Sequence, residues 1–146
     1  MRKSILFFLA FSFFMMSCQQ NQSPSYNLSK RNIDSKTPFS DAVIYGNTLY
    51  LTGQIGKDHT TGKIVEGGIE AETRQALENI KAVLEANGSD MSKVMKCTVI
   101  LSDISNFSKM NGIYRTFFAE NLPARTTFAA NLVGDAQIEI EVIASK

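Results

Sequence analysis

The chain has 146 residues, 44% of them hydrophobic and 20% charged, which is the composition of one ordinary globular domain and excludes two large ones. Fifteen Lys and Arg residues oppose 14 Asp and Glu residues. Two of the basic residues, Arg2 and Lys3, lie at the N-terminus, so the rest is close to neutral. We expect no nucleic-acid partner, because binding phosphates requires a basic surface.

The first 17 residues have the pattern of an export signal. Arg2 and Lys3 precede an apolar run over residues 5–16, which is too short to span a bilayer as a helix of about 20 residues. Ser17-Cys18 then resembles the lipobox of bacterial lipoproteins, whose cysteine carries the acyl chains. We predict a signal peptide over residues 1–17, lipidation at Cys18, a polar tether over 18–25 and one domain over 26–146.

This interpretation places the protein in the cell envelope, on its periplasmic or outer-membrane face, held by an N-terminal lipid anchor. An ordinary signal peptide with an accidental cysteine is the alternative. Cys97 is the only other cysteine, so lipidation of Cys18 leaves no intrachain disulfide. Residues 94–101 are β-prone, with Met95, Cys97, Val99 and Leu101 on one face, which predicts a buried and unreactive thiol.

The remaining pattern predicts its elements in the following order. An edge strand over residues 26–33 comes first, and two strands over 42–45 and 48–52 form a hairpin through Gly46-Asn47. Residues 57–68 form a loop or small excursion in which His59, the only histidine, is solvated. Apolar stripes predict helices over 69–87 and 106–118 on either side of the strand that contains Cys97, and strands over 126–130 and 137–144 complete the domain.

This order predicts an α+β fold with a mixed sheet and two helices on one of its faces. One helical layer leaves the other face of the sheet to solvent or to partner subunits. Tyr45, Tyr50 and Phe128 in the strands favour partner subunits.

The sequence gives little support for several kinds of chemistry. There is one histidine, there are no paired cysteines, and no carboxylates cluster at ligand spacing, so no metal is expected. The segment Gly53-Gln54-Ile55-Gly56 lacks the third glycine and the lysine of a phosphate-binding loop. A nucleophilic triad is also unsupported, because His59 lies in a loop and Cys97 points inward.

Two features remain as candidates for a site. Arg125 enters a strand directly after a proline turn, where a guanidinium can clamp a carboxylate. Glu139 and Glu141 share one face of the last strand, where a carboxylate can hold or deprotonate a water molecule. A structural ion pair between Arg125 and Glu139 explains the same residues equally well.

Six segments follow, in the same order, the motifs of the RidA family of imine deaminases. They are residues 38–42, 46–56, 73–86, 111–114, 123–126 and 138–141. The resemblance covers residues 26–145, and its most specific parts are Pro123-Ala124-Arg125-Thr126 and Ile138-Glu139-Ile140-Glu141.

The resemblance implies a chorismate-mutase-like fold and a homotrimer with a central barrel and clefts at the subunit interfaces. It implies hydrolysis of 2-imino acids, or of their enamine tautomers, to 2-keto acids and ammonia without a cofactor. Arg125 would bind the substrate carboxylate, and Glu139 would orient and activate water. The substrate-binding residues would be Phe39, Thr52, Gly53, Asn111, Arg125, Thr126 and Thr127.

Two of these positions depart from the family pattern. Phe39, expected to cover the pocket from the neighbouring chain, stands where family members often have tyrosine, and Thr127 replaces a cysteine found in some members. A second hypothesis is a non-catalytic module of the envelope that binds 2-keto acids, because the enamines that this family intercepts arise in the cytoplasm. RNA cleavage, proposed for relatives, is disfavoured by the near-neutral charge.

Overall fold

A mixed seven-stranded sheet carries two α-helices on one face. The computed structural model describes residues 22–28 and 37–146. In this part of the chain the elements are β1 Ser25–Asn27, β2 Ala42–Tyr45, β3 Thr48–Leu51, β4 Gln54–Ile55, β5 Lys57–Asp58, β6 Lys63–Ile64, α1 Gly68–Ala86, β7 Val94–Leu101, α2 Phe107–Phe117, β8 Ala124–Ala129 and β9 Ile138–Ser145. The α+β class and the two-helix layer are as predicted.

The strand order is β1-β2-β3-β9-β7-β8, and β4 pairs with β9 beyond the end of β3. All of these pairs are antiparallel except β7 and β8. Helix α2 is the crossover that joins this parallel pair, because parallel neighbours need a long connection. The predicted hairpin is confirmed, with Tyr45 opposite Thr48 and a positive φ of 61° at Gly46.

Helix α1 buries an apolar stripe against the sheet, as its sequence periodicity predicts. Leu77, Ile80 and Leu84 are fully buried in a core that also contains alternate residues of β3, β7 and β9 and Met110 of α2. The helix ends where Gly88 adopts a φ of 76° and the Ser89 amide bonds back to the carbonyl of Leu84. Gly88 therefore ends the helix in the left-handed conformation that is common at helix C-termini.

The face of β7 that is buried differs from the prediction at one residue. Cys97, Val99 and Leu101 are buried, but Met95 is 48% exposed. The pairing of β7 with β9 shifts between Val94 and Lys96, so that an extra residue interrupts the alternation of side chains. The prediction that Met95 shares the buried face was wrong because a bulge leaves no period-two signal.

Segment 57–68 contains a small hairpin, β5–β6, within the predicted excursion. Strand β1 starts at Ser25, while most of the predicted edge strand 26–33, the signal segment 1–17 and Cys18 lie outside the described residues. None of the helices in the two described ranges is long and apolar enough to cross a membrane.

The face of the sheet opposite the helices is open in the single chain. Tyr45 and Tyr50 project from it with exposed fractions of 53% and 46%, and Phe128 projects with 44%. Strand pairing places Ile143 beside Tyr50 on the same face. Exposed apolar side chains on one face of a sheet are typical of an interface between proteins.

Candidate functional site

Glu139 opens into a cavity of about 430 Å³ at the end of β9 where β4 pairs with it. Alternation along β9 buries Ile138 and Ile140 under the helices and directs Glu139 to the open face. The lining contains four of the predicted site residues. The cavity is lined by Thr37, Phe39, Asp41, Thr52, Gly53, Gln54, Ile55, Lys57, His59, Val133 and Glu139.

Gly53 makes room for the Glu139 carboxylate. The chain leaves β3 after Leu51 and pairs again with β9 from Gln54 onward, so Gly53 lies in the bend between the two pairings. A Cβ atom added at Gly53 would lie 1.9 Å from Oε1 of Glu139. Only glycine therefore lets the backbone approach the carboxylate this closely.

Helix α1 fixes the wall of this cavity through two buried polar side chains. The Nδ2 atom of Asn79 donates to the carbonyl oxygens of Ile55 and Lys57 at 3.2 and 2.9 Å. The Oε2 atom of Glu72 accepts a hydrogen bond of 2.8 Å from the Gln137 amide, next to the start of β9. These bonds set the position of β4 and of the strand that carries Glu139.

Arg125 lines a second, smaller cavity of about 250 Å³ at the edge strand β8. Its guanidinium carbon lies 4.6 Å from the ring centroid of Tyr114 and 5.6 Å from that of Phe107, both on α2. Among the described residues, no carboxylate pairs with this guanidinium. The cavity is lined by Asn111, Tyr114, Arg115, Leu122, Pro123 and Arg125.

The surroundings of Arg125 on the helix side are buried and apolar. Burial raises the pKa of the Cys97 thiol, and it raises the pKa of Tyr114, whose hydroxyl lies beside that thiol. The Thr127 hydroxyl is buried without a hydrogen-bond partner. The neighbouring Thr126 belongs to the open face, where its Oγ1 receives a hydrogen bond of 2.7 Å from Lys96 Nζ.

Arg125 and Glu139 lie on opposite faces of the sheet. Arg125 pairs in register with Cys97, on the helix face, and Glu139 pairs with Ile100, on the open face. Strand β7 separates β8 from β9, which alone puts their backbones about 10 Å apart. The structure excludes the ion pair within one chain, and it does not bring the two predicted catalytic residues together in a single chain.

The predicted site residues therefore divide into two groups. We call the cavity containing Phe39, Thr52, Gly53 and Glu139 the carboxylate half-site. We call the cavity containing Asn111 and Arg125 the arginine half-site. Thr126 and Thr127 follow Arg125 on β8 but line neither cavity.

Sequence reasoning missed several residues of both half-sites. His59, predicted to be solvated, is half-buried and lines the carboxylate half-site with Lys57, because the β5–β6 hairpin folds its turn over the cavity. The apolar stripe that predicts α2 includes Phe107 and Tyr114 on one side of the helix. Their contact with Arg125 depends on how β8 lies beside α2, which helix periodicity does not encode.

The described ranges contain no group of three His, Cys, Asp or Glu side chains placed to hold a metal ion. The chemistry available to these residues is the capture of an anion by Arg125 and the activation of water by Glu139. An α+β domain with these two half-sites has one group that can bind a small carboxylate and one that can activate a water molecule.

Comparison with known proteins gives the family. The family model described as Endoribonuclease L-PSP matches residues 29–146. A RutC family protein of Pyrococcus horikoshii is 49% identical over 75% of this chain and 87% of its own. The human protein named 2-iminobutanoate/2-iminopropanoate deaminase is 44% identical over 73% of this chain and 79% of its own.

Solved structures agree with this result. A protein of the conserved Rid family from Yersinia pestis superposes with a TM-score of 0.78 at 38% identity, covering 85% of this chain and 100% of that one. The chain therefore belongs to the Endoribonuclease L-PSP family, and its resemblance to RidA proteins is confirmed.

Proposed function

We propose that this protein hydrolyses 2-imino acids, or their enamine tautomers, to 2-keto acids and ammonia in clefts between the subunits of a homotrimer. Mammalian relatives that are 43–46% identical carry the name 2-iminobutanoate/2-iminopropanoate deaminase, which supports a hydrolase of this type. The observation that carries the proposal is the division of the site. Within residues 22–28 and 37–146, one chain presents a guanidinium without an acidic partner in one half-site and a carboxylate in the other.

In the proposed cleft, Arg125 of one subunit binds the substrate carboxylate through two parallel hydrogen bonds. Glu139 of the neighbouring subunit accepts a proton from water as the water oxygen bonds to C2 of the imine, and the imine nitrogen takes up a proton. In the resulting carbinolamine the hydroxyl proton is transferred to the nitrogen as the C–N bond breaks, so ammonia leaves and the C2–O bond becomes the carbonyl of the 2-keto acid. No electrons are exchanged, so the reaction needs no redox cofactor.

The other predicted residues take supporting roles in this proposal. Thr52 and Gly53 line the carboxylate half-site, and Phe39 covers it from the chain that carries Glu139. Asn111 stands beside Arg125 in the arginine half-site. Thr126 on the open face, and Thr127 behind the arginine, would supply hydroxyl or backbone contacts. Phe39 has no hydroxyl to donate, so a slower rate than that of tyrosine-bearing relatives is expected.

The apolar open face supports the proposed assembly. Tyr50, Ile143 and Phe128 would be buried between subunits if the sheets of three chains closed into a barrel. Light scattering of the purified protein should give a mass of three chains, and a stable monomer would contradict the shared cleft.

We also propose that Cys18 carries a lipid anchor that holds the domain at the cell envelope. Support comes from the sequence alone, in which the apolar run over residues 5–16 precedes Ser17-Cys18. Mass spectrometry of the protein isolated from membranes should find acyl chains on an N-terminal Cys18. Release of the protein from membranes by Cys18→Ser would agree with this assignment.

The direct test is imine hydrolysis. An amino-acid oxidase generates 2-iminobutanoate or 2-iminopropanoate, and the loss of the imine is followed with and without the protein. We expect acceleration by the wild type, and losses of about 10²- to 10⁴-fold in Glu139→Gln because the general base is removed. Glu141→Gln, two residues along the same face, is the matched control and should retain turnover. A wild type without any acceleration would overturn the deaminase proposal.

Calorimetry with 2-oxobutanoate separates the deaminase from the non-catalytic binding module. Binding in the wild type that Arg125→Ala abolishes, without turnover of the corresponding imine, would favour the binding module. Binding together with turnover favours the deaminase.

A further inference from the structure

In the part of the chain that the structure describes, the Arg125 guanidinium packs against aromatic rings and contacts no acid. Tyr114 lies 4.6 Å from it and is only 5% exposed, and Phe107 lies 5.6 Å from it and is 38% exposed. A guanidinium has five N–H donors, all directed outward in its own plane. An acidic partner would occupy those donors, and an incoming carboxylate would have to displace it. The face of a ring attracts the cation without using any donor.

The Tyr114 ring is itself fixed in place. It packs against Phe118, one helical turn further along α2, with the ring centroids 4.6 Å apart. Its hydroxyl lies in the buried space beside the Cys97 thiol on β7 and makes no hydrogen bond with any described residue, and burial raises the pKa of Tyr114. The ring is therefore held from the core side, and its orientation does not depend on a ligand.

We infer that Tyr114 is a positioning residue for Arg125, with Phe107 as a weaker second support. These two rings, which we call the aromatic seat, keep the in-plane donors of the guanidinium free for the carboxylate of a 2-imino or 2-keto acid. The inference rests on the proposed function. Tyr114 touches no reacting atom in this scheme. Tyr114 affects how tightly Arg125 binds the substrate carboxylate. Because this contact is the same in the ground state and in the transition state, its loss should raise KM more than it lowers kcat.

The test compares three variants by kcat, KM and the dissociation constant of 2-oxobutanoate. Tyr114→Leu removes the ring and should raise KM and the dissociation constant by roughly five- to thirty-fold, the value of a desolvated cation–π contact, while kcat changes much less. Tyr114→Phe keeps the ring and should restore most of the affinity. Leu84→Ala removes a fully buried side chain of α1 that lines neither half-site, and it should lower Tm without a comparable rise in KM.

A merely structural role for Tyr114 predicts a different result. Tyr114→Leu and Leu84→Ala would then both lower Tm and leave KM unchanged, or Tyr114→Leu would lower kcat alone, and either outcome would overturn the inference. If Tyr114→Leu does not fold, Phe107→Leu at the partly exposed ring serves instead. A rise in KM of about two- to five-fold is expected there, and an unchanged KM would overturn the inference.

Binding of 2-oxobutanoate keeps the two proposals distinguishable. If the affinity of the protein for the keto acid depends on the ring at position 114 but the wild type turns over no imine, the positioning role of Tyr114 is retained and the deaminase is rejected. A wild type that turns over imine with a KM indifferent to the ring at position 114 would retain the deaminase and reject the seat.

Discussion

At Gly53 the backbone lies directly against the Glu139 carboxylate. In Gly53→Ala the new Cβ would meet Oε1 of Glu139 at 1.9 Å, and the carboxylate at the end of a flexible side chain would move away. We expect kcat to fall by about 10²-fold while the fold survives, because a displacement of about 1 Å is enough to misalign a general base. Imine turnover and thermal unfolding measured on the same sample check this.

The control is Gly112→Ala in α2, where an added Cβ meets nothing within 4 Å. It should leave kcat unchanged and raise stability by about 0.5–1 kcal/mol, since alanine is the better helix former. A Gly53→Ala variant with full activity would show that the carboxylate does not need its observed place.

Cys97 makes stability depend on pH. Burial raises its pKa in the folded chain, so the folded state holds the thiol proton more tightly than the unfolded state does. This difference in pKa adds to the free energy of unfolding at pH values below the ordinary thiol pKa of about 8.5, and the contribution is lost as pH rises beyond it. Between pH 7.5 and pH 9.5 the wild type should lose about 1 kcal/mol more than Cys97→Ala in urea unfolding. Equal losses in the two proteins would contradict this.

At the scale of residues, the sequence identified the candidate site residues but did not predict their arrangement in space. Arg125 after its proline turn and Glu139 in its alternating strand were identified from local pattern and family motifs. That they face opposite sides of the sheet follows from the register of β8 on β7 and of β7 on β9. Such pairing joins residues far apart in sequence, and no local pattern specifies it.

At the scale of elements, Asn79 connects α1 to the wall of the carboxylate half-site. Asn79→Ala would leave the carbonyl oxygens of Ile55 and Lys57 without these donors. We expect a loss of about 1–3 kcal/mol in the free energy of unfolding, the usual cost of unsatisfied buried polar groups. Urea denaturation measures it.

Glu78→Ala is the matched control for this variant, because Glu78 precedes Asn79 on α1 but is exposed. Its stability should stay within about 0.5 kcal/mol of the wild type. If the two variants were equally stable, the link between α1 and β4–β5 would not contribute to the fold.

The elements themselves were predicted well where a period runs for several turns or residues. Helix α1 has a continuous apolar stripe and a glycine stop, and its observed bounds Gly68–Ala86 lie within one residue of the predicted 69–87. Met95 is a residue for which alternation along the strand predicts the wrong face. A bulge inserts one residue into a strand whose composition stays β-prone, so the face that each residue occupies changes without any change in pattern.

At the scale of the whole molecule, the two half-sites allow a test by mixing inactive subunits. In the proposed trimer, Arg125→Ala chains still supply Glu139 and Glu139→Gln chains still supply Arg125. Random mixing in equal amounts should rebuild about one quarter of all clefts, and one of the three clefts in every trimer that contains both chains, so purified mixed trimers should have about one third of wild-type turnover. Coexpression of two differently tagged chains, followed by sequential affinity purification, gives the mixed assemblies.

The control mixes Arg125→Ala chains with chains that carry both substitutions. No cleft in that mixture has an intact Arg125, so no activity should return. Failure of the first mixture to recover activity in assemblies shown to contain both chains would reject a cleft shared between subunits.

Because Arg125 and Glu139 are separated within one chain, turnover under the proposed function requires more than one chain. Under the proposed function, a correctly folded single chain is inactive until it assembles with other copies. A surface substitution far from both cavities could then abolish turnover simply by keeping the copies apart. Conversely, confining the chains to a membrane plane would favour activity by raising the frequency of their encounters.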